Sequence, residues 1–115
     1  MGKEQDIEQD IFIEKFAKRL YDLRQLTGKS ARDMSLSLGQ APNYINGLES
    51  AKNYPSMKSF FYICEHLGVT PQEFFDYASD DPKKSSELYN EIKKLDGKSQ
   101  EYFMGLIKDV NNRPL

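Results

Sequence analysis

The chain of 115 residues predicts an all-α fold: five short helices in one domain, followed by a two-helix hairpin. Three observations carry this expectation. Apolar residues recur every three or four positions, the helical period. Capping residues and glycines punctuate the segments where helices should start and stop. No alternating apolar–polar run marks a strand, and no internal repeat or low-complexity tract is present. The expected divisions are a polar arm over 1–10, a domain over 11–79 and a helical hairpin over 80–115.

The first helix is expected over 11–26, with Phe12, Phe16, Leu20 and Leu23 inward and Lys15, Lys18, Arg19 and Asp22 on other faces. Gly28 suits the left-handed position that ends it. Ser30 caps a second helix over 31–38, with Asp33 placed for a weak capping box and Met34 and Leu38 inward. Gly39 stops it. A third helix follows at 41–50, burying Ile45 and Leu48 with Ala41 on the same side. Pro42 is tolerable there in the first turn, where a missing N–H costs nothing.

Ala51 to Pro55 read as a loop. Ser56 caps a fourth helix reaching Leu67, with Gly68 closing it; Met57, Phe60, Phe61, Ile63, Cys64 and Leu67 are its apolar residues. Phe60-Phe61-Tyr62 reads as core with one exposed edge. Cys64 reads as core, and His66 as a structural residue in the last turn, where a cation suits the dipole. Thr70-Pro71-Gln72-Glu73 is a strong start for a fifth helix carrying Phe74 and Phe75. Asp80-Asp81-Pro82 marks the next boundary. Helices over 82–95 and 99–111, split by Asp96-Gly97-Lys98, carry apolar stripes of Leu88, Ile92 and Leu95, then Phe103, Leu106, Ile107 and Val110. A hairpin cannot bury both stripes alone, so it must dock on the first five helices or on a second chain.

Composition excludes several functions. The single cysteine allows no internal disulfide and no multi-thiolate zinc site. With one histidine and no glycine-rich phosphate loop, no nucleophile–base set stands out, so no enzyme, cofactor or metal is expected. The acidic start lacks the apolar core of a signal peptide, and no stretch is long enough to span a membrane, so a cytoplasmic location is expected. Net charge is −2, but residues 11–50 carry six basic and four acidic groups. That modest positive segment coincides with residues 30–50.

Two short helices joined by a glycine-containing turn form a helix-turn-helix, whose second helix fits the major groove of DNA. At about 100° per residue from Ala41, Ala41, Ile45 and Leu48 cluster on one side. Asn43, Asn46 and Gly47 point the opposite way, with Pro42 and Tyr44 on the flanks. Asparagine can bond adenine through two hydrogen bonds, so these amides suit base reading.

Several runs agree in spacing: Ser30-Ala-Arg-Asp-Met-Ser-Leu-Ser-Leu-Gly39, Tyr44-Ile45-Asn46-Gly47-Leu48-Glu49, Pro55-Ser56, and Leu67-Gly68-Val69-Thr70-Pro71-Gln72-Glu73-Phe74-Phe75. With these, residues 12–78 resemble the lambda-repressor-like (Cro/XRE) helix-turn-helix family. The resemblance implies a structural salt bridge between Arg24 and Glu49. It also implies base contacts, for which Asn43, Asn46, Gln40 and Tyr44 are the candidates, Tyr44 being equally suited to half-buried packing. Phosphate candidates are Arg32, Lys52, Asn53 and Lys58. This chain departs from the family at Ala31, where a phosphate-bonding Gln is usual, and at Ala41, where Ser or Thr is usual. Pro42 and Gly47 occupy base-reading positions without side chains able to bond a base.

The resemblance implies a sequence-specific DNA-binding transcriptional regulator of bacterial or phage type. A homodimer on a two-fold operator of double-stranded DNA is expected, with 80–115 as candidate dimerisation element. The alternative is a helix-turn-helix fold kept as a protein-interaction module, such as an antitoxin or phage accessory protein, with weak or no DNA binding.

Overall fold

The expected apolar stripes fall on helices or at their ends, and the computed structural model, which describes residues 10–114, holds seven helices and no strand among them. Residues 1–9 and Leu115 lie outside the described residues, so only Asp10 represents the expected N-terminal arm. The chain divides into two compact units, Met1–Ala78 and Ser79–Leu115.

In the first unit, α1 runs Ile11–Thr27. Asp10 caps it, accepting from the backbone N–H of Phe12 at 3.0 Å and of Ile13 at 3.3 Å. Phe16, Leu20 and Leu23 are buried as their spacing requires. Phe12 is not: it is 72% exposed. The helical period identifies the face that Phe12 shares with Phe16, but not how far that face is covered. The buried cluster begins at Phe16. Arg19, expected at the surface, is buried. Its Nε donates to the Phe74 carbonyl at 2.6 Å and its Nη2 to the Glu73 carbonyl at 2.7 Å. A charged side chain inside is here a cap for distant backbone carbonyls, which helix ends otherwise leave unsatisfied.

Helix α2 runs Ala31–Ser37 and α3 runs Tyr44–Glu49. Ser30 Oγ accepts from Asp33 N at 3.0 Å, one half of a capping box. Gly39, at φ 73°, allows the chain to reverse after Leu38. The third helix starts three residues after Ala41, at Tyr44. Ala41, Pro42 and Asn43 form an exposed turn, closed by Tyr44 N donating to the Ala41 carbonyl at 3.0 Å. Ala41 therefore contributes nothing to the core, and Pro42 precedes the helix. Proline disfavours helical geometry in the residue before it, which explains why Ala41 stays outside.

Helix α4 runs Met57–Leu67 and α5 runs Pro71–Phe75. Ser56 caps α4. Thr70 and Glu73 form a complete capping box, with Thr70 N to Glu73 Oε1 at 2.8 Å and Glu73 N to Thr70 Oγ1 at 3.1 Å. Phe60, Ile63, Cys64, Leu67 and Phe74 are buried, whereas Met57 and Phe75 are exposed. Of the Phe60-Phe61-Tyr62 run only Phe60 is core; Phe61 and Tyr62 both stand about half exposed, so two rings rather than one edge face outward. The rings of Phe16, Phe60 and Phe74 meet at centroid separations of 5.9, 5.0 and 5.1 Å, within the usual range for aromatic pairs.

In the second unit, α6 runs Pro82–Lys93 and α7 runs Gly97–Asn111. Both bounds differ from expectation, because Asp96 is a cap and not part of a dividing loop. Its carboxylate accepts from Ser99 N at 2.7 Å, which starts α7 at Gly97. That backbone hydrogen bond also holds the Asp96 carboxyl below its ordinary pKa. Gln100 Nε2 donates to the carbonyls of Ile92 at 3.1 Å and Leu95 at 3.0 Å, tying the end of α6 to α7. Phe103, Leu106, Ile107 and Val110 remain exposed. No helix among the described residues is long and apolar enough to cross a membrane, and none of those residues form a metal-binding cluster.

Candidate nucleic-acid interface

The geometry of the candidate interface depends on how α3 is held against α2. Ser35 is fully buried, and its hydroxyl does two things. Oγ donates to the Ala31 carbonyl at 2.7 Å and accepts from the Ile45 N–H at 2.9 Å. The first bond fixes the hydroxyl within α2. The second satisfies an N–H in the first turn of α3 that has no partner within its own helix. One side chain therefore ties the two helices together across the turn. Ile45 and Leu48 pack the inner side of α3 into the core with Met34.

The far end of α3 is anchored differently. Arg24 Nε and Nη2 donate to the two Glu49 carboxylate oxygens at 2.7 and 2.9 Å, and Nη1 donates to the Lys29 carbonyl at 2.9 Å. The side chains are only 10% and 7% exposed, so this is a buried, bidentate pair. The Glu49 hydrogen bond raises the Arg24 pKa against the opposing effect of burial. The arrangement links α1, α3 and the residue preceding the Ser30 cap.

Beyond the Ser50 C-cap of α3, Ala51 has a φ of 59°, which places a non-glycine residue in the left-handed region. Ala51 N donates to the Leu48 carbonyl at 3.1 Å and Lys52 N to the Gly47 carbonyl at 3.4 Å. This is the paired bonding of a Schellman motif, with alanine where glycine is usual. It sets the path along which Lys52 and Asn53 emerge.

Residues 20–74 match the family model described as helix-turn-helix, of the Cro/C1 type. Residues 20–74 form a helix-turn-helix domain of the XRE type. No curated protein and no solved structure matches it. Domains of this family belong to DNA-binding regulators and are typically non-enzymatic.

Within the XRE domain, the outward-facing residues fall into two groups. Asn43 and Asn46 are exposed. Asn43 stands at the N-cap position of α3 but makes no side-chain capping bond. Its side chain therefore projects from a turn, and the helical wheel drawn from Ala41 does not describe it. Tyr44 is half-buried and packs against the core. Gln40, Tyr44 and Lys58 share a hollow of about 290 Å³ with Leu38, Ser59 and Tyr62. Arg32, Lys52 and Asn53 are exposed outside that hollow. Ser59 and Tyr62 were not singled out by sequence. They lie on α4, and only the packing of α4 beside the turn brings them next to Gln40.

Gly47 lies within α3, and a Cβ there meets nothing within 4 Å. No neighbouring helix among the described residues requires this glycine. Ser35, Arg19 and Ala51 are the structural determinants that the sequence did not disclose.

Proposed function

We propose that this protein is a sequence-specific DNA-binding transcriptional regulator that binds a two-fold operator as a homodimer. One observation carries the reading. A short helix, pinned at one end by Ser35 and at the other by the Arg24–Glu49 pair, exposes Asn43 at its start and Asn46 within it, while Gln40, Tyr44 and Lys58 line a hollow where the turn meets α4. Preorganised amides on a braced helix suit base-edge contacts in the major groove. Arg32, Lys52, Asn53 and Lys58, all exposed, are the proposed phosphate contacts, which position the domain but carry no sequence information.

Dimerisation is proposed through the second unit. Phe103, Leu106, Ile107 and Val110 leave an apolar stripe on α7 that remains 42–51% exposed. Apolar surface of this kind is stabilised by burial against a second copy, and helix-turn-helix dimers place two recognition helices about 34 Å apart. Leu106→Asp with Ile107→Asp should give a monomer by sedimentation, both positions being exposed in one chain.

Selection of bound sequences from a random duplex pool tests the whole reading. A recovered palindrome supports it. Asn43→Ala or Asn46→Ala should then relax specificity at one base by about 1–3 kcal/mol. Lys52→Ala should weaken all duplexes alike and lower the salt slope by about 0.9. No duplex binding at about 50 mM salt and micromolar protein would refute it, since basic readers bind random DNA under those conditions.

That negative result would favour the second reading, a domain kept for protein interaction. The observations behind it are Pro42 and Gly47 at two reading positions and the overall charge of −2.

A further inference from the structure

The first unit holds a second concavity, formed by α1, the loop before α4, the start of α4, and the residues at and after the end of α5. It has a volume of about 470 Å³ and is lined by Phe12, Tyr54, Met57, Phe60, Phe75 and Tyr77, with Lys15 and its neighbours completing the wall. Drug-sized ligands occupy mostly apolar concavities of about 300–1,000 Å³ with few polar groups, and this one has that size and character. Its walls are preformed by ring packing. Phe16 meets Tyr54 at 5.9 Å, and Phe60 meets Phe75 at 5.2 Å. Lys15 is the one charged residue in the lining and makes no ion pair among the described residues.

We infer that this groove binds a small amphipathic anion, an aryl carboxylate, with its ring among the aromatic walls and its carboxylate on Lys15 Nζ. Charge complementarity selects the anion. A neutral aromatic gains the apolar burial but forgoes the ion pair with the exposed ammonium.

The same groove connects to the candidate interface. Tyr54 lines it and belongs to the loop that carries Lys52 and Asn53 out of α3. Its hydroxyl donates to Asp10 Oδ2 at 3.0 Å, while Asp10 Oδ1 caps α1. A ligand packed against Tyr54 fixes that loop and preorganises its phosphate contacts, so ligand and DNA should each tighten binding of the other by the same factor. This coupling rests on the DNA-binding reading above; the ligand site does not.

The test uses the full chain, with naphthylacetate as probe and naphthylethanol as its neutral counterpart, followed by amide-correlation NMR. Naphthylacetate should shift the signals of Phe12, Tyr54 and Met57 and bind more tightly than the alcohol. Lys15→Gln, an exposed change, should weaken naphthylacetate by about fivefold and leave the alcohol unchanged. Met57→Glu, also at an exposed position, should abolish both. Shifts confined to the α7 stripe, or no saturation at millimolar probe, would overturn the site. So would a Met57→Glu variant that loses self-association instead of probe binding, which would assign the groove to a second copy. Saturating naphthylacetate should tighten random-duplex binding at least threefold. Probe binding with unchanged duplex affinity overturns the coupling alone. Probe binding by a protein that binds no duplex overturns the DNA reading and leaves the site standing.

Discussion

Replacing Ser35 by alanine removes one oxygen and leaves the Ile45 N–H without its acceptor. That N–H lies on the first turn of α3, and its acceptor is a fully buried hydroxyl. A buried donor left unsatisfied costs about 1–3 kcal/mol, more than the net value of an ordinary hydrogen bond. The lost bond to the Ala31 carbonyl adds little, because that carbonyl sits inside α2 and serves the helix itself. Alanine's better helix propensity returns a few tenths of a kcal/mol. The expected net loss is about 2 kcal/mol. For a domain of this size, each kcal/mol lowers Tm by about 4–8 °C, so a fall of roughly 8–16 °C is expected. Thermal unfolding followed by circular dichroism reads it directly. Ser37→Ala is the control: Ser37 is exposed on the same helix, and should change stability by less than about 0.5 kcal/mol. Equal melting temperatures for the two variants would refute the role assigned to Ser35. A correct role also requires Ser35→Ala to weaken DNA more than its stability loss alone explains, since the angle between α2 and α3 is no longer fixed.

Four further outcomes are expected. Glu49→Ala should cost about 3–5 kcal/mol in urea unfolding, because it strands the Arg24 guanidinium in a buried site; a loss below about 1 kcal/mol would mean the pair behaves as a surface bridge. Ala51→Gly should stabilise the protein by about 0.5–1 kcal/mol, the relief of a left-handed alanine less the entropy of a free glycine, and a destabilised variant would refute the strain at Ala51. Gly47→Ala should raise stability by about 1 kcal/mol, since the new methyl meets nothing among the described residues. If that variant also loses duplex affinity, close approach of α3 to DNA accounts for the glycine. Burial pushes the Cys64 thiol up to about 11, so aromatic disulfide reagents at pH 8 should label it at the rate of unfolding. Its thiolate forms more readily in the unfolded chain, so its contribution to stability is full below about pH 9 and declines as pH climbs toward 11. Immediate labelling of the native protein would contradict that.

Much of the helical framework was legible because its signals are local. The spacing of Phe16, Leu20 and Leu23, the cap at Ser56 and the Thr70-Pro71-Glu73 start each depend on residues within a turn or two. The failures share a cause. Phe12 repeats the period of its helix, but whether a partner covers that position depends on elements far along the chain. Arg19 resembles any surface arginine until Glu73 and Phe74, more than 50 residues away, bring their carbonyls to it. Ala51 carries no conformational signal, since left-handed positions are recognised in sequence by glycine.

The helix-turn-helix itself divides along the same line. Sequence alone determined that two short helices flank a glycine turn near residue 39, with Met34, Ile45 and Leu48 inward, because periodicity and chain reversal are encoded by adjacent residues. Only the tertiary structure decided where α3 begins, that Asn43 projects from a turn, and that Ser35 fastens one helix to the next. Those features depend on which buried donor meets which acceptor, and that pairing exists only once the chain has packed.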